Sequence, residues 1–251
     1  MSSTPSFEIP PDAVRVWRGF RAPALSLTDF FLKLNTVFVP ASVEMQIKVG
    51  LDCYIPSVPA GLEGKPDVVP DETAILFWDS QQTYHDGFNT LAVRTYTLTH
   101  GAVYTPSSRA DFPDLFAGTM AANQPYYLVP RPADWMKGQV QHLVGGRPDG
   151  QTPDQFRSEL AAALSAIQAG GGLAGAIACA GDDYLVYWEL ANGASEGGSD
   201  TIAALAKLTG WYNVATAKPT TLDKGLWDPW PGMNIVSGDS LNMQFRRRWE
   251  K

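Results

Sequence analysis

VRVWRGFRAPALSLTDFFLKLNTVFVPASVEMQIKVGLDCYIP (residues 14–56) lies against VQHLVGGRPDGQTPDQFRSELAAALSAIQAGGGLAGAIACAGD (residues 140–182) at a constant offset of 126, without a gap. Val14, Gly19, Arg21, Phe30, Leu34 and Cys53 fall on Val140, Gly145, Arg147, Phe156, Leu160 and Cys179. A second block follows at an offset of 110: ILFWDS (75–80) on LVYWEL (185–190), then Leu98-Thr99 on Leu208-Thr209. The identities are few, but the order of elements is the same in both stretches, and order is what predicts a fold.

In the first stretch a strand over 13–21 is followed by Ser26, a helix N-cap. Leu27, Phe30, Phe31, Leu34, Val37 and Phe38 then share one helical face. Pro40 is expected to end or kink that helix. Met45, Ile47, Val49, Leu51, Cys53 and Ile55 alternate with polar or small residues as a strand does. The loop SVPAGLEGKPDVVPDE leads to the strand TAILFWD, Ser80 caps a helical region over 81–101 broken near Gly87, and YYLVPR (126–131) is the fourth strand. The second stretch repeats the plan. Thr152-Pro153-Asp154-Gln155 is a capping box with proline at the first helical position. Phe156, Leu160, Leu164 and Ile167 form one apolar stripe, and Gly170-Gly171-Gly172 stops the helix. Two strands follow, LAGAIAC and YLVYWEL. Ser199 caps a helix through Ile202, Leu205 and Leu208, and SLNMQFRRRW closes the chain as a strand.

Each half therefore reads β-α-β-β-α-β, a ferredoxin-like unit of an α+β fold. AILFW and YLVYW are apolar throughout, so both faces of each should be covered: helices on one side, the sheet of the other half on the other. The division is a loose arm over 1–12, a first repeat over 13–135 and a second over 136–251. On this pattern the chain resembles the dimeric α+β barrel superfamily, with both sheets supplied by one chain. The resemblance rests on element order and on Trp-Asp and Trp-Glu ending the third strands. It implies an intramolecular barrel able to close as a monomer, with further assembly through edge strands. It also implies a range of activities, from cofactor-free monooxygenases, lactone isomerases and polyketide cyclases to haem proteins, so the fold does not name the chemistry.

The bulk composition narrows the partners. The 251 residues carry a formal net charge of −7, which argues against a nucleic-acid backbone as partner. Arg246-Arg247-Arg248 reads as a solvated last strand. No stretch reaches the length of a membrane helix. MSSTPSFEIPPDA has neither the basic head nor the apolar core of a signal peptide, so the expectation is a cytoplasmic chain. The two cysteines sit in apolar strand patterns and read as buried, reduced hydrophobes. No CxxC or HExxH occurs, and a haem would need an axial ligand from His85, His100 or His142, none in a haem pattern. The expectation is no metal and no organic cofactor.

Candidate site residues come from where the two halves differ. After WDS the first half carries Tyr84, His85, Arg94, Tyr96 and His100, where the second has small or apolar residues. His85 and Tyr84 suit proton transfer and a phenolic hydrogen bond; His100 and Arg94 suit a developing oxyanion. The plainer reading of all five is an ordinary surface helix. His142 shares a strand face with Val140 and Val144, as a core histidine does. Arg18 lies on the apolar face of Val14, Val16 and Phe20 and requires an anion, either a ligand or a carboxylate such as Asp79. Trp78 and Trp188, matched by the second block, read as packing residues that also border a pocket. Trp227 and Trp230 form a lid over a pocket or a plug in the barrel end. Two functions remain. One is a small-molecule enzyme acting without cofactor on an apolar oxygenated substrate, by proton transfer or monooxygenation. The other is a non-catalytic barrel that binds a ligand or a protein.

Overall fold

In the computed structural model, residues 8, 11–47, 49–58, 64–135, 138–191, 200–221 and 241–246 are described. Trp227, Trp230, Ser199 and the end of the arginine run fall outside them, as does the Cys53 side chain.

The first half contributes β1 (Val14–Gly19), β2 (Leu51–Val58), β3 (Glu72–Trp78) and β4 (Arg109–Asp111), hydrogen-bonded in the order β4-β1-β3-β2. The second contributes β7 (Val140–Gly146), β8 (Leu173–Ala180), β9 (Tyr184–Ala191) and β10 (Trp211–Thr221), in the order β10-β7-β9-β8. Two short strands, β5 (Asp114–Leu115) and β6 (Pro125–Tyr127), extend the edge beyond β8. The last strand, β11 (Leu241–Arg246), runs antiparallel to β2 and parallel to β10, so it joins the two sets of strands into one ladder. That ladder runs from β4 to β5 and, among the described residues, does not close on itself as the expected barrel would.

Every residue of β3 is buried, as its unbroken apolar run requires. Alternate residues divide between two layers. Val14, Val16, Ile75 and Phe77 pack against Val140, Val144, Ile177, Val186 and Trp188 from the other sheet. Ala74, Leu76 and Trp78 face helices instead. These are α1 (Leu27–Lys33), α2 (Val39–Ile47), α3 (Gln81–Phe88) and α4 (Leu91–Leu98). In the second half α5 (Pro153–Gly170) and α6 (Asp200–Ala206) cover Leu143, Leu185 and Tyr187. The capping box of α5 forms as its sequence requires, and Gly171 ends the helix at φ 65°.

Four sequence expectations are corrected. Pro40 does not end the first helix. A wide π turn over Leu34–Phe38 carries it into α2, where Pro40 stands in the first turn and its missing N–H costs nothing. The strand expected from Met45 therefore starts only at Leu51. YYLVPR does not complete the first sheet: Tyr126 and Tyr127 stand opposite Ala178 and Ile177 of β8, and β4 takes the place beside β1. WYNVATAKPTT, read as loop, is β10 and pairs with β7 along Trp211 to Ala217. Finally, Trp78 and Trp188 are not counterparts. His142 stands opposite Trp188, while Val16, the residue matched to His142, stands opposite Ile75. Side chains alternate with period two, so the mismatch puts the two tryptophans on opposite faces. Trp78 lies under the helices and Trp188 lies between the sheets.

Candidate functional site

The inner faces are filled; the space lies on the helix side of the first sheet. β1 presents Arg15 and Trp17 there, β2 presents Tyr54, and β3 presents Leu76 and Trp78. Opposite them stand Ser42 and Gln46 of α2, Tyr84 of α3, and Val93 and Tyr96 of α4. His100, Tyr104 and Arg109 complete the rim. Together they enclose a cavity of about 440 Å³, within the range of small-molecule sites.

Its wall is aromatic and ordered. Trp17 meets Tyr104 and His100 edge-on at 5.0 and 5.4 Å, and Phe38 meets His100 at 4.8 Å. Trp78 meets Tyr84 at 5.0 Å, and the Trp78 Nε1–H is buried without an acceptor. Tyr96 shares a short hydrogen bond with Ser42. Burial raises the phenols of Tyr84, Tyr96 and Tyr104, so they act as neutral donors near pH 7.

His100 is the imidazole of this wall. Its Nδ1 lies 3.1 Å from the Thr97 carbonyl. A carbonyl only accepts, so Nδ1 carries the proton and the neutral ring presents a lone pair at Nε2. Burial, opposed by bonds to the Thr97 and Tyr96 backbone, lowers its pKa, which keeps it neutral near pH 7.

Behind the wall lies Glu72, 0% exposed. It accepts from Trp17 Nε1 at 2.8 Å, from Tyr54 Oη at 3.4 Å and, in a shorter bond, from Tyr104 Oη. Burial pushes its carboxyl up to about 7, even though all three donors act in the other direction. The three donors themselves line the cavity, so Glu72 communicates with it only through their side chains.

The candidates named from sequence separate into two groups. Tyr84, Tyr96, His100 and Trp78 line the cavity. His85 is exposed on α3, and Arg94 is exposed and 3.4 Å from Asn89. His142 is sealed between the sheets, 2.9 Å from Thr73 Oγ1 and stacked on Trp188; burial lowers its pKa to about 3. Arg18 has its carboxylate, but it is Asp111 at 2.5 Å rather than Asp79, and it also donates to the Asn123 carbonyl at 3.0 Å. Cys179 is a buried free thiol. Sequence reading missed Arg15, Trp17, Tyr54, Glu72 and Tyr104. The available signal was the RVWRG alternation, which gives β1 a polar-aromatic second face.

No family model matches this sequence, and a search of curated proteins gives no match. Three solved structures show a weak likeness. A "putative monooxygenase" from Lactobacillus acidophilus is 9% identical with a TM-score of 0.36, over 81% of this chain and 91% of that one. A second, from Fusobacterium nucleatum, is 8% identical at 0.37, over 84% and 92%. An anthrone oxidase-like protein is 11% identical at 0.35, over 81% and 88%. At these scores the likeness transfers no residue role and no chemistry. Among the described residues no helix is long and apolar enough to cross a membrane, and no group of three or more His, Cys, Asp or Glu is placed to hold a metal.

Proposed function

We propose that the chain is a small-molecule enzyme that removes a proton from an apolar, oxygenated aromatic substrate, with His100 as the base. The carrying observation is the neutral imidazole, fixed as the Nδ1–H tautomer, in the wall of an aromatic cavity. The proton passes from an acidic C–H or O–H of the substrate to Nε2, and the electron pair stays on the substrate as an enolate or phenolate. The phenols of Tyr84, Tyr96 and Tyr104 supply hydrogen bonds to the oxygen where charge collects. Returning the proton at another carbon is isomerisation. Reaction of the anion with dioxygen, one oxygen entering the product and the other leaving as water, is monooxygenation. Both branches begin with the same step, and neither needs a metal or organic cofactor.

The finer fold reading belongs with this proposal: two ferredoxin-like units packed face to face, one carrying the site. The matching orders β4-β1-β3-β2 and β10-β7-β9-β8 support it, as does the core shared between them.

Anthrone is a suitable probe, being a fused-ring ketone with an acidic methylene. Under nitrogen in D2O the protein should accelerate deuterium uptake at that carbon, and His100→Ala should slow uptake by about 10²-fold. Dioxygen consumption in air then separates oxygenation from isomerisation. The rate should rise with pH through a pKa below the ordinary histidine value and level off by neutrality. An unchanged rate in His100→Ala would remove His100 as the base. The alternative, a binding module without turnover, is favoured by the seclusion of Glu72, and binding of anthrone without exchange would establish it.

A further inference from the structure

Several cations of the described chain are matched to carboxylates: Arg18 to Asp111, Lys65 to Asp71, Arg147 to Asp183. Arg15 is not. Its guanidinium donates to the Ala110 carbonyl at 2.7 Å and lies over the Tyr84 ring, 4.0 Å from the centroid. Among the described residues no carboxylate stands within ion-pair distance of it. The nearby acid, Asp111, is held by both Arg18 and Arg109. Arg15 Nε is enclosed without an acceptor. A cation desolvated in this way is costly unless an anion joins it.

The surroundings of Arg15 say what kind of anion would fit. Rings supply the wall, so an aromatic body is favoured. The Trp78 Nε1–H, on the same face as Arg15, is a second donor without an acceptor. His100, being neutral, does not compete for an anion, and the charge of Arg15 is one of the causes that keep it neutral. We infer that the cavity takes an aromatic ligand bearing an anionic oxygen, a carboxylate or phenolate, and that Arg15 is the residue that pairs with it. This rests on the ligand-cavity reading above and adds the charge of the ligand to it.

Calorimetric titration with 2-naphthoate and 2-naphthamide tests this, since the two share ring and shape and differ in charge. The native protein should bind the carboxylate at least about 10-fold more tightly, because charge-assisted pairing to a guanidinium is the stronger bond. Arg15→Gln should bring the two affinities together while leaving naphthamide binding within about 3-fold, and Arg15→Lys should keep part of the preference. If Arg15→Gln does not fold, the Arg15 Nε–H resonance of the native protein should move with naphthoate and stay with naphthamide. Equal affinities in the native protein, or a preference that survives Arg15→Gln, overturn the inference while naphthamide binding leaves the cavity reading in place. If neither probe binds and no cavity-wall resonance moves, both fall together.

Discussion

Glu72 and His142 occupy the same kind of place, fully enclosed in protein, and burial drives both toward neutrality. For the carboxyl this means a pKa raised to about 7, and for the imidazole one lowered to about 3. The consequences for stability have opposite signs. Between its unfolded value near 4.5 and about 7, native Glu72 holds a proton the unfolded chain has lost, so its contribution falls as pH rises. Between about 3 and its unfolded value near 6.5, native His142 lacks a proton the unfolded chain has gained, so its contribution falls as pH drops. The shifts set upper limits of about 3 kcal/mol for Glu72 and about 5 kcal/mol for His142. Urea unfolding followed from pH 4 to 8 should show Glu72→Gln with a more rising profile and His142→Asn with a flatter acid limb. Parallel profiles for native protein and both variants would contradict the two assignments.

At the scale of elements, what the sequence disclosed and what it hid divide along the cavity. α5 was readable to its caps because one face is apolar and the other wet. Tyr84, Tyr96 and His100 were readable because the second half lacks them. α2 was misread because two of its buried positions, Ser42 and Gln46, are polar. They face the cavity, and polar residues on a buried helix face erase the helical stripe. Arg15 and Trp17 were hidden by the converse effect: a polar-aromatic strand face looks solvent-facing until helices cover it. β10 was missed because alternate residues of its middle stretch, Tyr212, Val214 and Thr216, stand exposed, so no apolar run marks it. β1 also fixes the network behind the wall. A Cβ at Gly19 would sit 2.7 Å from the Tyr104 ring and 2.8 Å from Trp17 Nε1, the two closer donors to Glu72. Gly19→Ala should therefore cost about 1–3 kcal/mol by overpacking and move the fluorescence of the buried tryptophans. A melting curve and emission spectrum like those of the native protein would show that the wall yields freely.

At the scale of the whole molecule, the central core belongs to neither half alone. Val14, Val16, Ile55, Ile75 and Phe77 are covered by residues of the other sheet. A fragment of residues 1–135 keeps β1 to β4 but bares that face and loses the β11 partner of β2. By size-exclusion chromatography it should dimerise or aggregate. A soluble monomeric fragment would contradict the shared core.

The place of β11 also sets a timetable. The strands of each half lie close along the chain, so each set pays little loop-closure entropy when it pairs. Val58 of β2 must instead wait for Leu241, which leaves the ribosome long after both sets of strands. Until then β2 and β10 are two free edges on one nascent chain, able to pair with each other or with a neighbour. Synthesis ends with the strand that occupies both edges, so the step that joins the sheets is also the step that withdraws them from aggregation.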